Sequence, residues 1–71
     1  MKPIVRDYQF ADFAAALKFV NKVAVLAEEA NHHPDIHIIY NQVHLTFWTH
    51  SAKAVTDKDF SLAEKIDKMA K

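Results

Sequence analysis

The sequence predicts an α+β fold: helices packed on one face of a small antiparallel sheet, in the order β-α-β-β-α. Three observations carry that expectation. Two segments repeat apolar residues at helical spacing, and two neighbouring runs rich in β-formers are split by a turn dipeptide. A short opening segment alternates in period two. With 71 residues and no repeat, low-complexity tract or linker, the chain makes one domain, residues 1–71.

The opening run Ile4-Val5-Arg6-Asp7-Tyr8-Gln9-Phe10 sets Ile4, Tyr8 and Phe10 in alternation and reads as the first strand. From Asp12 the period changes. Phe13, Ala16, Leu17, Val20, Ala24 and Ala27 fall on one helical face, widened by Val23, Leu26 and Ala30. Asp12 stands near the start, where a carboxylate suits the helix dipole. Pro34 cannot continue a helix and disfavours helical geometry at His33, so the helix ends near Asn31.

Ile36 to Tyr40 and Val43 to His50 read as a hairpin turning on Asn41-Gln42, because Asn tolerates positive φ. That loop would pair Tyr40 with Val43, Ile39 with His44, Ile38 with Leu45, His37 with Thr46 and Ile36 with Phe47. One face then collects Ile36, Ile38, Tyr40, Val43, Leu45 and Phe47, and the other His37, Ile39, His44, Thr46, Trp48 and His50. Thr56 reads as an N-cap with Asp59 as an imperfect capping box. Phe60, Ala63, Ile66 and Ala70 form the expected buried stripe of the second helix, with Leu62 and Met69 beside it.

Composition excludes several functions. The nine basic and nine acidic residues give zero formal charge, without the basic stripe that nucleic-acid binding requires. No apolar run approaches the ~20 residues of a membrane span, and the N-terminus shows no signal-peptide apolar core, so a cytoplasmic protein is expected. Glycine is absent, which removes phosphate-cradling loops and dinucleotide folds. Cysteine is absent too, which removes disulfides and thiolate metal sites. A core this small is commonly supported by self-association, and an apolar share of 51% leaves surface for a homodimer or homotetramer contact.

The chemistry-bearing stretch is Glu28-Glu29-Ala30-Asn31-His32-His33-Pro34, where the long helix gives way to the hairpin. The expected register, extended backward, places Asp35 opposite Trp48 and His33 opposite His50. His32, His33 and His50 then converge, with Glu28 as an orienting carboxylate and Trp48 as the floor of a pocket for a planar ligand. Imidazoles titrate near neutrality and suit proton transfer. Each has a plainer reading: His37 and His44 as exposed polar residues, Trp48 as a contact between copies. Zinc held by His32, His33, Glu28 and His50 is the rival chemistry. Adjacent histidines chelate one ion poorly, so no metal ligand is assigned. Nucleophilic catalysis finds no cysteine, and Ser51 lies in no recognisable elbow.

At these residues the chain resembles the pterin-4a-carbinolamine dehydratase family. The matching pattern is Glu28, His32-His33-Pro34, Tyr40, His50 and Asp59, with Phe10-Ala11-Asp12-Phe13, Ala27-Glu28 and Tyr40-Asn41-Gln42-Val43-His44 around it. It runs from about Tyr8 to Ala70, and a preceding helix and strand usual in the family are not found ahead of it. The resemblance implies loss of water from a 4a-hydroxy-tetrahydropterin to give the quinonoid dihydropterin, without metal or organic cofactor. It implies His32, His33 and His50 as catalytic, with His32 and His50 favoured as the proton-transfer pair. Glu28, Asn31, Pro34, Trp48, Thr49 and Asp59 are the residues expected to contact the pterin. Asn31 stands where family members commonly carry Asp, and Ile36 where an aromatic is common. The same scaffold serves as an interaction partner of a transcription factor in animals, so a non-catalytic binding or dimerisation module is the alternative.

Overall fold

The element order expected from the sequence is the order of the structure. A computed structural model describes residues 2–70. Its elements are β1 (Ile4–Gln9), α1 (Phe13–Ala30), β2 (Asp35–Ile39), β3 (Gln42–Phe47) and α2 (Asp57–Ala70). The three strands form one antiparallel sheet in the order β1-β3-β2. Both helices lie against the face from which Val43, Leu45 and Phe47 of the central strand project, and all three are buried.

Asp12 caps α1: its Oδ1 accepts the Ala15 amide at 2.8 Å. Asn31 ends the helix in the left-handed conformation, φ 50°, which Asn adopts at little steric cost. Its amide donates to the Glu28 carbonyl and the His32 amide to that of Ala27, each at 3.1 Å, the paired bonds of a Schellman motif. This closure folds the chain back at His32.

Three sequence expectations are corrected. On α1 the buried residues are Ala16, Phe19, Val23 and Ala27, while Phe13 and Leu17 are exposed. Phe19 rotates the face: its ring packs 4.7 Å from that of Tyr8 and 5.0 Å from that of Phe10, centroid to centroid. On α2 Phe60 is 58% exposed, and the buried stripe is Asp59, Leu62, Ala63 and Ile66. A carboxylate takes the place of the aromatic because three donors satisfy it, as described below.

The hairpin register also differs. The loop is Tyr40-Asn41, so Ile39 pairs with Gln42, Ile38 with Val43, His37 with His44, Ile36 with Leu45 and Asp35 with Thr46. Asn41 explains the displacement. Its Nδ2 donates to the Phe10 carbonyl at 2.8 Å, and its own carbonyl accepts the Phe10 amide at 2.9 Å. These bonds tie Asn41 to the end of β1, and Tyr40 takes the positive φ of 53° instead. Each pairing moves by two residues, which preserves the faces. Replacing Tyr40 with Asn should raise stability by about 1 kcal/mol, read from urea unfolding, because a bulky side chain is disfavoured at positive φ.

The first hairpin strand is less covered than its pattern implied. β2 lies at the sheet edge, with Ile36 at the margin of exposure and Ile39 and Tyr40 about two-thirds exposed. On the other edge, Arg6 Nε contacts both Asp67 oxygens at 3.2 and 3.0 Å, and the Tyr8 hydroxyl donates to Asp67 at 2.6 Å. Burial, and then the bond to Asp67, pushes the Tyr8 phenol well above its ordinary range. Tyr8 therefore stays neutral and clamps β1 to α2.

Candidate functional site

Where α1 ends, the turn after β3 and the first turn of α2 meet, and their polar side chains close a buried network. The Schellman turn directs His32 inward, leaving its side chain 11% exposed. Its Nε2 lies 2.6 Å from Oδ1 of Asp59, which is fully buried. The other Asp59 oxygen accepts the Thr49 hydroxyl at 2.6 Å and the Thr56 amide at 2.9 Å. Since Thr49 spends its one proton on Asp59, the Thr56 hydroxyl, 2.7 Å away, donates to Thr49.

Local sequence explains each placement. Thr49 is paired with Ala54 through an amide-to-carbonyl bond of 3.0 Å, which closes a tight turn over 50–53. Thr56 precedes α2, and the Asp59 side chain reaching back to its amide is half of the capping box expected there. Burial raises the Asp59 carboxyl, but bonds from Thr49, His32 and the Thr56 amide outweigh it and hold the carboxyl below its ordinary value. Asp59 is therefore ionised at neutral pH. An ionised carboxylate only accepts, so His32 Nε2 carries a proton toward Asp59, and whenever the ring is neutral its lone pair is on Nδ1.

The other expected residues divide by exposure. His33 Nε2 lies 2.7 Å from Oε2 of Glu28, both side chains being well exposed. His50, beside Thr49, is 71% exposed, and its Nε2 lies 3.9 Å from Oδ1 of Asp35. Pro34 is buried and Trp48 half-buried. The structure thus joins His32, Thr49 and Asp59 by hydrogen bonds, and pairs His33 with Glu28 and His50 with Asp35. Asn31 serves as the helix cap. With the observed register, Asp35 lies opposite Thr46 rather than Trp48.

Two participants were missed as site residues. Asp35 is the acidic residue that follows His-His-Pro, and the sequence around Thr56 signals only a helix cap. A concavity of about 600 Å³ lies on the open sheet face and one of about 300 Å³ between the end of α1 and the start of α2, and neither is lined by His32, His33 or His50. Among the described residues no three His, Asp or Glu side chains are grouped to hold a metal ion.

A buried carboxylate orients one imidazole, His32, while the exposed His33 and His50 each face a carboxylate of their own, and imidazoles so held can carry acid–base chemistry. The chain belongs to the pterin 4 alpha carbinolamine dehydratase family, whose model matches residues 1–69. It is similar to a Thermomicrobium roseum protein named "Putative pterin-4-alpha-carbinolamine dehydratase", 54% identical over 67 residues that cover 94% of this chain and 72% of the relative. Among solved structures it is similar to a transcriptional coactivator/pterin dehydratase from Brucella melitensis. That likeness has a TM-score of 0.92 and 37% identity, covering 99% of this chain and 74% of the other. A pterin dehydratase-like RuBisCO assembly factor of the alpha-carboxysome shares the fold, with TM-score 0.79 and 22% identity over 96% of this chain and 79% of the other. No helix among the described residues is long and apolar enough to cross a membrane.

Proposed function

We propose that this protein dehydrates a 4a-hydroxy-tetrahydropterin to the quinonoid dihydropterin. The observation that carries the reading is the 2.6 Å contact between His32 Nε2 and the buried Asp59, in a member of this family. The reaction breaks the C4a–oxygen bond. One proton goes to the departing hydroxyl, which leaves as water, and one is taken from a ring nitrogen. Asp59 holds His32 so that Nδ1 presents its lone pair, which suits the base. His50, exposed and beside Asp35, suits the acid when protonated, and His33 with Glu28 contacts the pterin. Trp48, Pro34 and Thr49 form the surrounding wall, and no metal or organic cofactor enters the reaction.

Self-association as a dimer or tetramer belongs to the same proposal. Ile36, Ile39 and Tyr40 on the β2 edge and Phe13, Leu17 and Val25 on α1 are exposed apolar residues that a second copy would cover. The test follows decay of freshly generated 4a-hydroxy-tetrahydropterin with and without protein. Acceleration proportional to protein concentration supports the enzyme; decay at the spontaneous rate removes it.

The second reading is a non-catalytic pterin-binding or interaction module. Two observations favour it: the fold is shared with an assembly factor, and His33 and His50 line neither concavity named above. Saturable pterin binding without turnover would establish that reading in place of the first.

A further inference from the structure

The observed register creates a constellation that the expected one does not contain. Asp7 pairs with His44, and His44 with His37, so the three stand side by side across β1, β3 and β2. They project from the face opposite the helices, because the alternate residues Val43 and Leu45 point into the core. All three border the concavity of about 600 Å³.

Nδ1 of His44 donates a hydrogen bond to Oδ1 of Asp7. That bond leaves the His44 lone pair on Nε2, directed away from the carboxylate. The rings of His37 and His44 stand edge to face, with centroids 6.2 Å apart and planes inclined at 71°. A zinc ion taking one nitrogen from each of two imidazoles holds their centroids roughly 5–6 Å apart, since each zinc–nitrogen bond is ~2.0–2.1 Å. The observed 6.2 Å lies just outside that range. A carboxylate bonded to the far nitrogen of a ligating histidine is the usual support of a zinc-bound imidazole.

We propose that His37 and His44 form a two-imidazole site for a divalent late transition-metal ion, zinc in the first instance, with Asp7 orienting His44. Asp7 is the supporting carboxylate and not a ligand, in keeping with the absence of a three-ligand group among the described residues. Water completes the coordination shell, so the ion is exchangeable. Copper, higher in the divalent affinity order, binds more tightly than zinc. The site is separate from the His32–Asp59 network and stands whether or not the protein is a dehydratase.

Titration calorimetry of the intact chain with zinc chloride, and separately copper chloride, tests this. One ion should bind per chain. His37→Ala and His44→Ala should each weaken binding by at least about tenfold, and Asp7→Asn by about tenfold or more through lost orientation. Lowering the pH to about 5.5 should weaken it further, because protonated imidazole cannot ligate. Asp7 and His37 are exposed and His44 is half-buried, all outside the core cluster, so each variant retains the core. Absence of binding at millimolar ion overturns the proposal. So does binding that survives the double His37→Ala, His44→Ala variant but is lost in His33→Ala, which would place the ion at the end of α1.

Discussion

His32→Ala should slow carbinolamine dehydration by about 10²–10⁴-fold, the range that a positioned acid–base group supplies. His32 is the most enclosed of the three site imidazoles and the one bonded to a buried carboxylate. Its tautomer is set by Asp59, whose other oxygen is fixed by Thr49 and Thr56. Loss of the ring therefore removes a group already held in one orientation, whereas His33 and Glu28 pair in the open. His32→Ala also takes one donor from a buried carboxylate, so a structural effect must be separated from a chemical one. His32→Gln does this: its amide can still donate toward Asp59, but it has no titratable nitrogen. Both variants should lose turnover, and His32→Gln should keep the far-ultraviolet spectrum and urea midpoint of the parent. Turnover within about threefold of the parent in folded His32→Gln would refute proton transfer at this position.

Phe47→Ala should destabilise the domain by about 3–5 kcal/mol, enough to leave much of it unfolded at room temperature. Phe47 is fully buried at the end of the central strand, on the inner face with Leu45 and Val43, and pairs with Ile4 of β1. It belongs to the cluster that also holds Val23, Ala27, Leu62 and Ile66, so its loss opens a void between sheet and both helices. Small single cores supply only about 3–5 kcal/mol in total, and one such cavity consumes nearly all of it. Urea unfolding followed by Trp48 fluorescence reads the change. A cost below about 1 kcal/mol would show that the layers collapse to fill the gap.

Much of this architecture was legible in the chain. The alternation of β3 and the breaks at Asp12 and Pro34 marked the elements, because burial and backbone sterics act locally there. The errors arose where distant contacts decided. Phe19 turns α1 by packing on Tyr8 and Phe10, and Asn41 displaces the hairpin by bonding to Phe10, partners more than eight residues away in the chain. Asp59 was legible as a capping residue. Its burial was also written in the spacing Asp59-Leu62-Ala63-Ile66, which places it on the core face of α2. Phe60, though apolar, falls off that face and stays exposed. The His37–His44 pair was invisible, since it exists only in the register that Asn41 enforces.

On the proposed function, the pterin is expected to bind where α1 ends, against His32, His33 and His50. Nitrogen-15 spectra of the imidazoles during titration with a stable dihydropterin test it most directly. Binding there should shift His32, His33 and His50 and leave His37 and His44 unmoved. Shifts confined to His37 and His44 would place the ligand on the open sheet face and contradict it.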